Sequence, residues 1–228
     1  MRTAIAKLTF PLVLCAEIST WAQGSFQDFD FESAVIVPAG APFVEFAPAF
    51  PGWTGYLGTN QQSVALFNSL AIGTAVIALL GPGWSSVDII AGNYTAVLQA
   101  GSDPRGSLTP VDASISQTGL IPAGAQSIQF LSTGARNGFT VSLNGQQIPM
   151  AILGTQGRFN VYGGDVSQFA GLTEELRITA LSAPSSPANL YLDSIQFSDM
   201  VVPEPGAAAL LLFAVAGFAL LLRRPTER

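Results

Sequence analysis

The chain has 228 residues, a formal net charge of −6, no histidine and a single cysteine, Cys15. Those absences exclude serine–histidine and cysteine–histidine nucleophile pairs, zinc sites built on His or Cys, and an intramolecular disulfide framework. Only 11% of the residues are charged, so any chemistry falls to carboxylates, hydroxyls, amides and a few arginines.

The N-terminus reads as a targeting segment. Arg2 and Lys7 make a basic start, Leu8 to Ala16 is apolar but for Thr9 and Pro11, and Thr20-Trp21-Ala22 puts small residues where a signal peptidase reads. Residues 1–22 are therefore expected to be a signal peptide cut after Ala22, with signal peptidase as the first processing partner. A lipid-modified Cys15 is the rival reading, since Leu12 stands three residues ahead; Leu14, directly before it, is too bulky for that processing site.

Residues 23–201 suffice for one domain with a sizeable core. This stretch carries 12 acidic residues against Arg105, Arg136, Arg158 and Arg177, with no lysine, for a net of −8. Nucleic acid is excluded as a partner on that balance, because phosphate binding needs a basic face. Short apolar or alternating runs predict strands at Ser63 to Leu66, Ala75 to Leu80, Tyr94 to Gln99, Ser127 to Leu131, Phe139 to Leu143 and Leu190 to Phe197. Turn residues separate them, as in Gly81-Pro82-Gly83, Ala91-Gly92-Asn93 and Asp103-Pro104-Arg105-Gly106. Asn144-Gly145 is the strongest turn signal, since a type I′ hairpin requires positive φ at both central residues. The expected fold is all-β, an antiparallel β-sandwich of jelly-roll-like form, with no sustained helical periodicity outside the C-terminal run.

The C-terminal stretch, residues 202–228, holds Pro203-Glu204-Pro205, an uncharged apolar run of 17 residues from Gly206 to Leu222, then Arg223 and Arg224. As a helix that run is roughly 25 Å long, enough for a thin hydrocarbon core. The arginines behind it favour a cytoplasmic C-terminus. These three parts in this order resemble the PEP-CTERM sorting signal of Gram-negative bacteria. The resemblance implies cleavage near Pro203, Glu204 and Pro205 by exosortase, a membrane-embedded transpeptidase-like enzyme. It further implies export through the inner membrane, anchoring by the 206–222 transmembrane helix before processing, and a final place on the cell surface or in the extracellular matrix.

Two stretches of the body carry a second resemblance. Phe29-Asp30-Phe31-Glu32-Ser33-Ala34 and Leu190-Tyr191-Leu192-Asp193-Ser194-Ile195-Gln196-Phe197 are similar to the first and last strands of jelly-roll carbohydrate-binding modules. In those modules a Phe-Glu pair and an Asp-Asp pair converge on a structural calcium ion. The carry-over touches Glu32 and Asp193 only, and Ser194 stands where the second aspartate would be.

Candidate sugar contacts follow from aromatic faces, on which pyranose rings stack. Trp53 and Tyr56 fall in a Gly/Pro-rich segment, Pro51 to Gly58, expected to be an exposed loop beside Asn60 and Gln61; Trp84, next to Gly81-Pro82-Gly83, has a similar claim. The alternative for each is a place in the sandwich core. A glycosidase needs two carboxylates about 5 to 10 Å apart, and Glu174-Glu175 would point to opposite faces if they lie on a strand. Arg136, Arg158 and Arg177 read as ordinary surface charges, and Asp103 with Arg105 as a turn with a local ion pair. The resulting expectation is a non-catalytic, exosortase-processed surface protein associated with extracellular polysaccharide. A purely structural adhesion protein without a sugar site, or a carboxylate glycosidase, are the alternatives.

Overall fold

The computed structural model describes residues 25–86, 88–107, 109–133, 138–183 and 188–202. The expected signal peptide, the Pro203–Pro205 triplet, the 206–222 span, Arg223, Arg224 and Arg136 lie outside the described residues.

Fifteen strands, one short α-helix and one 3-10 turn (Ser167–Phe169) are described: β1 (Phe43–Glu45), α1 (Phe46–Ala49), β2 (Thr54–Leu57), β3 (Asn60–Gln62), β4 (Val64–Phe67), β5 (Val76–Leu80), β6 (Thr95–Ser102), β7 (Pro110–Val111), β8 (Ala113–Leu120), β9 (Ser127–Ser132), β10 (Phe139–Leu143), β11 (Gln146–Ile148), β12 (Ala151–Gln156), β13 (Phe159–Asp165), β14 (Thr173–Ala180) and β15 (Ala188–Ser198). The larger sheet runs β1-β4-β5-β6-β15-β9-β13-β12, with β7 joining β6, and the smaller runs β11-β10-β14-β8-β2-β3. Their inner faces share one core. In β10, Val141 and Leu143 point in while Thr140 and Ser142 point out; β14 repeats the pattern with Leu176, Ile178 and Ala180. Leu98 of β6, Phe130 of β9 and Leu190 and Leu192 of β15 meet them from the other sheet.

One expectation needs correction, on the direction of one strand pair. The larger sheet is not purely antiparallel: β4 and β5 run parallel, with Leu66 opposite Ala78 and Phe67 opposite Leu79. Asn68 at φ 46° turns the chain out of β4. Its side chain accepts from Gly81 N at 2.8 Å and donates to Pro82 O at 2.8 Å, tying the end of β5 to the end of β4. The body also holds one short helix. Phe46 and Ala49 sit one turn apart in α1, and both are buried. Burial of that one face holds a single turn that has no side-chain cap.

The hairpin expected at Asn144-Gly145 forms between β10 and β11, with φ of 49° and 75° at the two residues. The larger sheet also carries a second apolar layer on its outer face. There Leu66, Ala78, Leu80 and Val97 are covered by Leu70 from the β4–β5 loop and by Trp84 and Ile89 from the β5–β6 loop.

Candidate functional site

The two carboxylates singled out for calcium grip one segment of chain. Glu32 accepts from Asn93 N at 2.7 Å, Tyr94 N at 2.9 Å and Asn93 Nδ2 at 2.9 Å. Asp193, only 1% exposed, accepts from Thr95 Oγ1 at 2.9 Å and Ala91 N at 3.2 Å, while Ser194 N donates to its other oxygen at 2.6 Å. Gly92 sits at φ 56°, and a Cβ there would lie 2.3 Å from Glu32 Oε1, so the close approach needs glycine. Burial pushes the Asp193 carboxyl up to about 7, against the pull of hydrogen bonds from Thr95, Ser194 and Ala91. At Glu32 slight burial opposes ionisation, but bonds from Tyr94 and Asn93 outweigh it and hold the pKa below its ordinary value.

As it stands, this arrangement is satisfied by the chain's own donors. Calcium takes about six to eight oxygens, yet N–H and O–H groups occupy the carboxylate oxygens of both residues. Among the described residues no group of three acidic side chains gathers as a metal cage. The pair is better described as a clasp that fastens the 91–95 segment over the outer face of β15.

The aromatic candidates separate into three situations. Trp53 is 4% exposed and belongs to the core, correcting the exposed-loop expectation. Gly52 at φ 81° turns the chain inward. The indole then packs near Phe29 and Phe31, with centroids at 5.8 and 6.0 Å, and Nε1 donates to Asp28 O at 3.1 Å. Its rim reaches a surface groove of about 740 Å³ whose polar wall includes Glu45, Gln61 and Gln62. Trp84 is half-buried over the second apolar layer, with Nε1 donating to Asp88 Oδ2 at 3.0 Å. It lines an open groove of about 470 Å³ with Ser86 and Asn93.

Tyr56 lies on strand β2, not in a loop, and points away from the core on the outer face of the smaller sheet. The Arg177 guanidinium sits over its ring, 4.5 Å from the centroid. Arg177 is thus not the plain surface charge that its local sequence suggests: Nη2 lies 2.8 Å from Glu175 Oε1, and Nη1 donates to Ser114 Oγ at 3.2 Å. The strand register surrounds this cluster with hydroxyls and amides. One row across the strands reads Ser142, Arg177, Ser116 and Thr54; the next reads Thr140, Thr179, Ser114, Tyr56 and Gln61. With strands about 4.8 Å apart, the five-strand row spans roughly 19 Å. The face is rich in hydroxyls, of which Thr140, Ser142, Thr179 and Thr54 are partly exposed while Ser114 and Ser116 are buried beneath the cluster, and its central ion pair cancels. The Arg177–Tyr56 pairing carries no signal in sequence, because the two strands meet this way only through β8.

The remaining candidates behave as ordinary strand and turn residues. Glu174 and Glu175 are consecutive on β14, opposite Gly119 and Thr118, so they face opposite sides and cannot serve as one carboxylate pair. Asp103 and Arg105 form the expected turn and ion pair at 2.6 Å, and the Arg105 side chain holds the Asp103 carboxyl down to about 2. Arg158 lies over Phe159, 4.9 Å from its ring centroid. No protein-family model matches the chain, and no curated protein matches it either.

Proposed function

We propose that this chain is an exported, exosortase-processed surface protein whose jelly-roll-like β-sandwich associates with extracellular polysaccharide and catalyses no reaction. The sorting half of the reading stands on Pro203-Glu204-Pro205, the apolar run to Leu222 and Arg223-Arg224. The binding half is supported by one observation, the neutral hydroxyl and amide face built around Tyr56 and Arg177. A polyhydroxyl chain can exchange donors and acceptors with such a surface while packing beside the Tyr56 ring that Arg177 covers, and no net charge has to be desolvated.

Intact mass of the protein from cells with and without active exosortase tests the sorting half. A product ending near Pro203 in the surface or medium fraction, seen only with the enzyme, is the expected result. Retention of the C-terminal run in both strains would leave an integral inner-membrane protein with a periplasmic sandwich.

Retention on the matrix polysaccharide, followed by affinity electrophoresis, tests the binding half. Tyr56→Ala and Arg177→Ala are each expected to weaken retention about tenfold, or about 1.4 kcal/mol, the scale of one aromatic or cation–π contact. Unchanged retention in both variants, with Trp84→Ala also silent, would leave the purely structural adhesion role.

A further inference from the structure

The end of the sandwich from which the chain leaves is unusually apolar. After β15, Gln126 N donates to Ser198 O at 2.8 Å and Ser127 Oγ donates to Met200 O at 2.8 Å, which holds the exit segment against β9. Val202 is buried beside Leu153: a Cβ on Gly163 would lie 2.5 Å from Leu153 Cδ1 and 3.3 Å from Val202 Cγ2. Around that contact Ile152, Met200 and Val201 are 58%, 68% and 72% exposed. Leu120 and Leu172, also exposed, border the same end. Leu172 O accepts from Ile121 N, and Gln126 O, at the far side of that loop, accepts from Val166 N. With Leu153, six of the nine exposed large hydrophobic residues among the described residues gather here.

The apolar run begins at Gly206, four residues beyond Val202. Four extended residues reach at most about 14 Å. A tail that spans the bilayer therefore holds this end of the domain within about 14 Å of the lipid surface. The interfacial layer on each side of the hydrocarbon core is itself roughly 5–8 Å deep. The charges near this end are Asp165, Glu174 and Asp199, all acidic, so nothing here attracts anionic headgroups.

We infer that, while the tail is uncut, the end bearing Ile152, Leu153, Met200 and Val201 rests in the interfacial layer of the bilayer, held by apolar contact. Cleavage near Pro203 then separates this surface from the lipid. The inference rests on the sorting reading and adds to it an orientation: the Tyr56 face stands to the side of the sandwich, clear of the membrane-facing end.

The test uses the full chain reconstituted into phosphatidylcholine vesicles. Residues 23–228 contain no cysteine, so Ile152→Cys, Val201→Cys and Ile72→Cys each accept one environment-sensitive fluorophore, and unsubstituted protein controls for Cys15. Ile72, fully exposed and remote from the exit, is the reference. The labels at positions 152 and 201 are expected to shift to the blue and to lose fluorescence to brominated lipid, unchanged by high salt, while the label at 72 stays water-like. A water-like label at 152 on protein that floats with the vesicles overturns the inference and leaves the anchor standing. Shielding at 152 that brominated lipid does not quench means a second copy covers the patch, which also overturns it. Protein that fails to float with the vesicles removes the anchor reading, and this inference with it.

Discussion

Trp53→Ala is expected to cost about 3–5 kcal/mol of folding free energy, the usual range for deleting a large buried aromatic. The indole is 4% exposed, packs against the Phe29 and Phe31 rings, and donates Nε1–H to Asp28 O. Removing it opens a cavity where the N-terminal segment closes the core and leaves the Asp28 carbonyl without that donor. Trp53→Phe keeps most of the packing and should lose far less. Tyr56→Ala, on the outer face, is expected to stay within about 1 kcal/mol of the parent protein. Urea unfolding of the three variants decides the matter; a Trp53→Ala loss no larger than that of Tyr56→Ala would mean the indole is not a core residue. The same contrast bears on binding experiments. A double substitution at 53 and 56 would report unfolding in place of sugar affinity, so Tyr56 and Arg177 have to be tested apart from Trp53.

Stability should fall as pH rises from about 4 to 7, because of Asp193. Its carboxyl is raised by burial from 3.8 to about 7 in the folded protein, so the folded state holds the proton more tightly than the unfolded chain. For an acid raised in this way, the contribution is fully present below the unfolded pKa. It is lost progressively as pH climbs toward the folded one, at about 1.4 kcal/mol for each pH unit between the two, on the order of 4 kcal/mol in all. Asp193→Asn removes the titration and is expected to flatten the pH 4–7 range, with a pH-independent loss because its amide nitrogen faces donors that now bond to the carboxyl. The shallow slope left behind belongs to Asp28, whose partly buried carboxyl is also raised. Glu32 and Asp103, both lowered, act in the opposite sense, Asp103 below that range and Glu32 below 4.5, at its acid edge. Thermal unfolding followed from pH 4 to 8 measures this directly, and a flat profile in the parent protein would refute it. Added calcium is expected to leave the pH 8 unfolding temperature unchanged. A rise would mean that the ion displaces the amides of residues 91–94 from Glu32 and Asp193.

Local features were legible in the chain to the extent that short-range physics creates them. Alternation in Phe139 to Leu143 announced an inward Val141 and Leu143, and Asn144-Gly145 announced two positive φ values. Resemblance singled out Glu32 and Asp193 as calcium ligands, and in the fold each accepts hydrogen bonds from residues 91–95. What they hold there is a row of amides, because the donors came from a segment whose backbone direction no sequence pattern reveals.

The sequence by itself determined a β-rich body with short strands and a strongly acidic balance without histidine, since composition and period-two patterning are properties of consecutive residues. The tertiary structure alone decided which aromatics are free. Trp53 and Tyr56 sit three residues apart in one Gly/Pro-rich stretch, yet the chain turns at Gly52. Gly55 then faces inward so closely that a Cβ would lie 2.4 Å from the Phe46 ring, which puts Tyr56 on the opposite face beneath Arg177. Neighbours in a strand alternate between core and solvent, and their partners come from strands distant in sequence. Exposure and pairing are therefore set by register and sheet order, which only the folded chain supplies.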